Sequence, residues 1–387
     1  MVVDSYEIPA RQLEELAQSA PVAVFCDGEE APPVAAVLHY HLSPPNHLRL
    51  PTGTSALLGP DYAPVSPRLV AARRSRGLAR ALVTVGGSEQ ARALVGPARA
   101  ALEAVGDLEV FVSGAGNGPD IGLVERIAWA DVAISAAGTT AYELACAGVP
   151  TVAGIVANNQ LPVAAGLARA GAARGFDARS AGAGERLAAE VAALASPEER
   201  ARLSVAGPDT VDGYGAARAR DALLAAFSGD RLPRVLRYRP ARAPDAPQLL
   251  AWRNEPDVRA ASRNTGIIEP DEHARWLARV LADRDRVLWI AEEDDYPIGS
   301  LRFDRQDATA EISVMIAGER RGAGVGAQAI REATELFLAA HPDVRTVMAE
   351  ILSGNAGSMR AFERGGYRLR PGATGPMRVL EATPLLG

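Results

Sequence analysis

Short apolar runs alternate with alanine-rich helical stretches over residues 21–226, and this alternation constrains the fold more than any other feature. The order predicts an α/β fold with a parallel, doubly wound sheet, whose ligands bind at the carboxyl ends of the strands. Helices are predicted between the strands, for example over residues 88–105 and 185–195. Glycine-rich turns follow three of the strands, at residues 86–87, 114–118 and 138. The runs typical of buried strands are "PVAVFCD", "RALVTVGG", "DLEVFVSG", "DVAISAAG" and "VPTVAGIV".

A stretch rich in proline and arginine, "SGDRLPRVLRYRPARAPDAP", interrupts this pattern. It predicts a first domain over residues 1–228, a linker over 229–234 and a second domain over 235–387. The second domain begins with a strand near residues 235–240 and two helical segments, followed by three closely spaced strands. A loop then leads into a long helix, a further strand and a last helix. These elements predict a mixed α/β domain.

Charge and cysteine content exclude several classes of function. The formal net charge of −6 argues against a general nucleic-acid-binding protein. All 41 basic residues are arginine, so no lysine serves as a Schiff base or phosphate clamp. The two isolated cysteines, Cys26 and Cys146, make neither a disulfide framework nor a metal site. Without a signal start or a long uncharged apolar run, the sequence predicts a soluble cytoplasmic protein with no membrane segment and no metal.

The second domain contains an R-x-x-G-x-G pattern formed by Arg321, Gly324 and Gly326, directly between a strand and a helix. Glycines let backbone N–H groups turn inward, and the positive end of the helix dipole adds to their attraction for an anion. A pyrophosphate can therefore bind to this loop, but the six residues taken alone favour a flexible turn.

This half of the chain resembles the GNAT acetyltransferase family from about residue 235 to residue 380. The matching segments are "AWRNEPDVR", "EHARWL", "PIGSLRFD", "AEISVMI", "RRGAGVG" and "NAGSMRAFERGGYRL", in that order. The resemblance implies acetyl-CoA as the cofactor, with a strand splay beside residues 314–316 that holds the thioester carbonyl. For Ser358, a role as a helix-start residue is an equal alternative. The residues implied in cofactor binding are Val314, Ile316, Arg321, Gly322, Ala323, Gly324, Val325, Gly326, Asn355 and Ser358.

Acetyl transfer by such a domain needs a positioned neutral amine and a stabilised oxyanion, because the substrate supplies the nucleophile. Many family members place a tyrosine acid where this chain has Phe362 in "FERGGY". Tyr367 could replace that acid, although a strand tyrosine more often packs. The candidate bases are Glu311, with an exposed strand glutamate as its alternative, and His273, which could instead orient or pack.

The acceptor side is indicated by "WRNEPDVR…EPDEHARWL", in which Arg253 and Asn254 could contact a polar acceptor. The alternative is that both residues simply end a helix at the surface. The segment resembles the branch that acetylates amino-sugar nucleotides, including the 4-amino group of UDP-linked pseudaminic-acid precursors. It also resembles ribosomal-type protein N-terminal acetyltransferases, so the acceptor stays open.

The first domain resembles GT-B nucleotide-sugar enzymes through "VTVGGSEQ", "AWADVAISAAGTTAYELACAGVPTV" and "ANNQ". "LLGPDYAPVSPRL" extends the likeness to the UDP-sugar hydrolase family of the pseudaminic-acid pathway, over residues 2–226. Helix capping is the alternative role for Thr139 and Thr140, and a solvated position in the first helical turn is the alternative for Glu143. The resemblance implies Gly87, Ser88, Thr139 and Thr140 at the diphosphate, Glu143 at the ribose, and Asn159 and Gln160 near the sugar.

The hydrolase family opens with a G-x-G-H-x-x-R turn that this chain lacks. His39, His41 and His47 are predicted to form an exposed loop cluster that neither replaces the missing histidine nor binds metal. Either the true start lies upstream, or a separate chain supplies the missing part, or the domain only binds UDP-sugar. A homodimer or a docked partner would cover the interface of a partial domain.

The two resemblances together predict N-acetylation of a UDP-4-amino-4,6-dideoxy sugar, fused to a hydrolase-like UDP-sugar module. The alternative is a protein or peptide N-acetyltransferase with a noncatalytic UDP-sugar-binding or scaffold domain.

Overall fold

The computed structural model describes residues 1–5, 8–26, 30–42, 48–86, 89–113, 122–370 and 377–383. The chain forms two compact units, Met1–Pro233 and Arg234–Gly387. The predicted linker, residues 229–234, spans the division between them. Both units mix helices with sheets, which confirms the predicted α/β class.

The N-terminal unit contains two parallel sheets. The first has the strand order β1-β2-β3-β4, and the second has the order β6-β5-β7-β8-β9. The first-sheet strands are β1 (Val2–Val3), β2 (Ala23–Phe25), β3 (Ala36–His39) and β4 (Ser55–Leu58). The second-sheet strands are β5 (Arg80–Thr84), β6 (Glu109–Val112), β7 (Val132–Ala136), β8 (Thr151–Ile155) and β9 (Arg174–Asp177).

Helices cover these sheets, and the core of the second sheet is made of residues such as Val83, Ile134, Val152 and Leu187. The structure has two helices where a single helix was predicted over residues 88–105. Pro97 interrupts the helix, because a proline ring clashes with the backbone carbonyl four residues before it. The helices of this unit are α1 (Ala10–Ala17), α2 (Glu89–Arg92), α3 (Val95–Glu103), α4 (Leu123–Trp129), α5 (Thr139–Cys146), α6 (Leu161–Arg169), α7 (Ala183–Ala193), α8 (Pro197–Thr210) and α9 (Gly215–Ser228).

Two of the three histidines predicted as an exposed cluster are buried instead. His39 ends β3 and is 2% exposed, and His41 is 6% exposed. Their rings pack edge to face, with 4.8 Å between centroids. The prediction was wrong because residues 36–39 form a strand of a parallel sheet, whose two faces are both covered. His47 lies outside the described residues.

The C-terminal unit is built on a seven-stranded mixed sheet with the order β10-β11-β12-β13-β14-β16-β15. Its strands are β10 (Arg237–Pro240), β11 (Arg286–Glu293), β12 (Tyr296–Gln306), β13 (Thr309–Ile316), β14 (Thr346–Leu352), β15 (Arg368–Leu369) and β16 (Met377–Ala382). Its helices are α10 (Ala246–Asn254), α11 (Pro256–Ala260), α12 (Pro270–Ala282), α13 (Val325–Ala340) and α14 (Ala356–Arg364). Helix α10 ends before Glu255 because Pro256 forces the preceding residue out of the helical region.

Strands β13 and β14 run parallel and pair over only part of their length. Their register joins Thr309 to Thr346 and continues to Glu311 opposite Met348. Strand β13 continues to Ile316 and β14 to Leu352. The two strands therefore separate after Glu311, which opens the sheet at its centre.

Candidate active site

A cavity of about 800 Å³ lies where β13 and β14 separate. We call it the cofactor-side cavity. Its walls come from β13, from the glycine-rich loop before α13, and from α14. The predicted site residues that line it are Glu311, Val314, Ile316, Arg321, Gly322, Gly324, Gly326, Asn355 and Ser358. Two other predicted residues differ: Val325 is buried in the first turn of α13, and Ala323 is exposed between the glycines.

The loop from Arg321 to Gly324 has the backbone geometry of an anion cradle. Gly322 and Gly324 have φ angles of +81° and +82°, which side chains other than glycine rarely adopt. A Cβ added at either position would meet no atom within 4 Å, so the loop faces open space. Gly324 is the residue before α13, whose first N–H groups lack intrahelical partners. The loop can therefore receive a pyrophosphate.

The Arg321 side chain braces this loop. Its Nε donates to the carbonyl oxygen of Ile316 at 2.9 Å, and its Nη2 is paired with the carboxylate of Glu255. The more distant Asp257 carboxylate lies 3.6 Å from Nη1. These contacts fix the loop against β13 and α11, so the arginine organises the cradle besides lining it.

Asn355 and Ser358 meet at the start of α14. The Asn355 Oδ1 accepts a hydrogen bond from the Ser358 backbone N–H at 3.0 Å, which caps the helix. Because the oxygen is engaged, the amide Nδ2 is the group that could donate to a cofactor arm.

A second cavity of about 360 Å³, which we call the acceptor-side cavity, adjoins the first. Arg302, Ser313, Val314 and Met315 line both cavities, so the two meet at the separated part of β13. His273 also lines the second cavity and is 4% exposed. Its ring centroid lies 5.1 Å from that of Trp276. Burial lowers the pKa of the His273 imidazole from its ordinary 6.5, which keeps the ring neutral and able to accept a proton.

Arg253 and Asn254 both hold the segment between α11 and α12 by its backbone. The Arg253 Nη2 donates to the Asn264 carbonyl oxygen at 2.7 Å, while the residue also lines the acceptor-side cavity. The Asn254 amide bonds both ways with the Ile268 backbone, each at 2.9 Å. These bonds occupy the Asn254 amide, so its side chain anchors the segment and offers an acceptor little.

Tyr367 lies away from both cavities. It is 2% exposed, and its hydroxyl lies 2.8 Å from the Thr334 Oγ1 on α13. Burial raises the pKa of the Tyr367 hydroxyl far above its ordinary value of 10.0. The ring packs edge to face on Phe362, which itself lines the cofactor-side cavity. The geometry argues against the predicted acid role and gives Tyr367 a packing role.

We therefore expect Tyr367→Phe to leave kcat unchanged and to lower stability. Removing the hydroxyl leaves the buried Thr334 Oγ1 without this partner, which costs about 1–2 kcal/mol. A loss of this size lowers Tm by a few degrees, measured by thermal unfolding. A large fall in kcat with an unchanged Tm would contradict the packing role.

Two of the predicted diphosphate residues, Thr139 and Thr140, begin α5 in the N-terminal unit. The Thr139 Oγ1 lies 3.2 Å from the Tyr40 hydroxyl, and the Tyr142 hydroxyl accepts from the Leu42 N–H at 3.3 Å. Burial raises the pKa of Glu143, and a hydrogen bond with Thr140 opposes this shift. Gly87 and Ser88 lie outside the described residues.

Asn159 and Gln160 lie in the short turn that follows β8. Asn159 is exposed, whereas the Gln160 Oε1 accepts from the Val156 N–H at 2.9 Å. The Gln160 side chain therefore caps its own turn, and Asn159 is the more accessible of the two.

Arg302, Tyr40 and Tyr142 contribute to these sites and were not predicted from the sequence. Arg302 interrupts the apolar strand pattern of "PIGSLRFD", and that interruption was the available signal. Tyr40 and Tyr142 gave no such signal, because aromatic residues next to strands and in helices are ordinary core residues.

No group of three or more His, Cys, Asp and Glu residues that could hold a metal ion occurs in the described part of the chain. Within the same residues, no helix has both the length and the apolar character needed to cross a membrane.

Comparison with known proteins identifies the C-terminal unit. Residues 235–368 match the family model of the acetyltransferase (GNAT) domain, so this unit contains a GNAT domain. The match confirms the predicted acetyltransferase class. The resemblance of the N-terminal unit to UDP-sugar hydrolases remains a prediction.

Individual relatives each match about a third of this chain. The putative phosphinothricin acetyltransferase YwnH of Bacillus subtilis (strain 168) is 28% identical over 116 residues, which is 28% of this chain and 69% of that protein. The structure of aminoglycoside acetyltransferase AAC(6')-Ib with coenzyme A is 19% identical with a TM-score of 0.34, covering 38% of this chain and 94% of that one. Spermidine N-acetyltransferase from Vibrio cholerae with CoA and spermine is 15% identical with a TM-score of 0.34, covering 38% and 95%.

Proposed function

We propose that the C-terminal unit transfers the acetyl group of acetyl-CoA to the amino group of a UDP-4-amino-4,6-dideoxy sugar. The observation that carries the transfer is the opening between β13 and β14, with the glycine-rich cradle on one side and the acceptor-side cavity on the other. A thioester in this opening would lie between its pyrophosphate anchor and the amine.

The chemistry follows from the groups around the opening. The amine nitrogen attacks the thioester carbonyl and forms the new N–C bond. The C–S bond then breaks, and CoA leaves as a thiolate that takes up the proton given up by the amine, relayed by the base, and becomes the thiol. Backbone N–H groups of β13 beyond Glu311 have lost their β14 partners and can stabilise the oxyanion. His273 is the base that takes the proton released by the amine, because it is neutral and lines the acceptor-side cavity.

The choice of acceptor rests on the sequence resemblance of both halves to enzymes of amino-sugar nucleotides. Acetylation and UDP release would then be consecutive reactions. In this proposal the N-terminal unit binds UDP at the start of α5, with Thr139 and Thr140 at the diphosphate and Glu143 at the ribose. Thiol release measured with UDP-amino sugar and with peptide amines tests the acceptor. Release with peptide amines alone would overturn the sugar and favour the peptide acetyltransferase.

We expect the full-length chain to bind UDP in a titration calorimeter, and Glu143→Ala to weaken that binding about 10-fold or more. A carboxylate that accepts hydrogen bonds from a ribose diol accounts for a loss of this size. Glu185→Ala is the matched control, because Glu185 is an exposed glutamate in the first turn of another helix of the same unit. Absence of heat with UDP, or equal loss in both variants, would remove the proposal for this unit.

A further inference from the structure

The acceptor-side cavity carries an excess of positive charge. Three arginines line it, Arg253, Arg279 and Arg302, against one carboxylate, Glu272. His273 adds no charge at neutral pH, because burial lowers its pKa. A cavity of about 360 Å³ with this lining attracts an anion and repels a polycation.

Arg253 keeps part of its guanidinium unsatisfied. Its Nη2 is used on the Asn264 carbonyl oxygen, whereas Nη1 is buried and has no hydrogen-bond partner among the residues that the structure describes. Burial and the neighbouring Arg259 both lower the pKa of Arg253. An anion bound in the cavity that Arg253 lines would relieve the repulsion between the two cations.

Arg302 lines both cavities and also has an unsatisfied donor. Its Nη2 is paired with Asp304 at 2.9 Å, but its Nε is buried and, within the described ranges, has no partner. The guanidinium carbon lies 5.8 Å from the centre of the Trp276 ring, which holds it beside the cavity. In each of the two arginines a buried donor without a partner costs free energy.

We propose that the acceptor bears an anionic oxygen group, a carboxylate or a phosphate, which Arg253 and Arg302 bind while the amine faces the thioester. The inference rests on the proposed acetyl transfer and narrows its substrate class to zwitterionic amines. The same positive charges disfavour the ammonium form of the amine and favour the neutral nucleophile. Polycationic amines are poor acceptors in this pocket.

Three acceptors and two probes test the anion site in the full-length chain. Thiol release from acetyl-CoA is measured with UDP-4-amino-4,6-dideoxyglucose, L-glutamate and spermidine. The first two distinguish a diphosphate from a carboxylate as the source of the anion. Binding of inorganic pyrophosphate and of L-glutamate is titrated separately with CoA saturating. We expect kcat/KM for at least one anionic acceptor to exceed that for spermidine by about 10-fold or more.

The variants separate anion binding from loop anchoring. Arg253→Gln and Arg302→Gln are each expected to raise KM for the anionic acceptor about 10- to 100-fold, as the loss of a charged hydrogen bond implies. For Arg253→Gln, KM for acetyl-CoA should change less than about 2-fold. Arg259→Gln is the matched control, because Arg259 holds the same segment through the Thr265 carbonyl oxygen at 3.1 Å without lining the cavity.

Two results would overturn the anion site: spermidine as the best acceptor, or equal kinetics in wild type, Arg253→Gln and Arg302→Gln. Failure of acetyl transfer is recognised differently, as absence of CoA binding and of thiol release with every amine. In that case the titrations with pyrophosphate and glutamate test the anion site without acetyl transfer. Weaker binding of either probe in Arg253→Gln and Arg302→Gln, but not in Arg259→Gln, supports the anion site. Unchanged binding rejects it.

Discussion

Replacing His273 by glutamine is expected to lower kcat about 100- to 10,000-fold, which is the usual contribution of a general base. The imidazole lines the acceptor-side cavity, where the amine would bind, and burial keeps it neutral. Glutamine retains much of the volume and polarity of the side chain but cannot accept the proton. Steady-state thiol release and thermal unfolding are the measurements, and Tm should change little.

The pH profile of this reaction provides an independent test. The pKa of His273 is lowered, so the neutral, active form is present above that pKa and is lost as the pH falls through it. The wild-type rate should therefore fall on the acid side below pH 6.5, the ordinary value for histidine. The charged groups facing the same cavity are Arg253, Arg279, Arg302 and Glu272, and burial is the cause of the lowered pKa of His273.

Glu311→Gln is the comparison that could contradict this assignment. Glu311 lies at the last paired position of β13 and lines the cofactor-side cavity, not the acceptor-side cavity. We expect it to affect kcat less than His273→Gln does. If Glu311→Gln removes the acid limb of the profile and His273→Gln leaves it, Glu311 is the base and His273 packs against Trp276.

The backbone of the cofactor-side cavity was predictable because local sequence determines it. Glycines at positions 322, 324 and 326, after a strand and at the start of a helix, let backbone N–H groups turn inward, and the surrounding segments that resemble the GNAT family favour an anion-binding loop there. The strands on either side were predicted in the order in which the structure has them. Their hydrophobic pattern is regular, and neighbouring strands in the sequence are neighbours in the sheet.

Side-chain partners could not be predicted, because residues far apart in sequence provide them. Arg321 was expected at the cofactor, yet its guanidinium is paired with Glu255, which precedes it by 66 residues. Asn254 is bound to the Ile268 backbone and Tyr367 to Thr334. The chemistry of each side chain was compatible with the predicted role. Only the tertiary packing determines which polar group each side chain binds.

Replacing Gly324 by alanine is expected to raise KM for acetyl-CoA about 10- to 100-fold. The φ angle of +82° costs an alanine about 1–2 kcal/mol, so the loop moves toward negative φ. That movement turns the N–H groups at the start of α13 away from the pyrophosphate, and each lost charged hydrogen bond reduces affinity about 10-fold or more. CoA titration and the KM for acetyl-CoA are the measurements.

Gly366→Ala is the matched control for backbone strain. Gly366 has a φ angle of +90°, its added Cβ would also meet nothing within 4 Å, and it lies outside the residues that line either cavity. Both variants should lose similar stability, a Tm shift of a few degrees, because both force alanine into the same backbone region. Only Gly324→Ala should lose CoA affinity. Equal affinity in the two variants would mean that the loop does not hold the pyrophosphate, and the anchor would then be sought among Arg360 and Arg364 of α14, which line the same cavity.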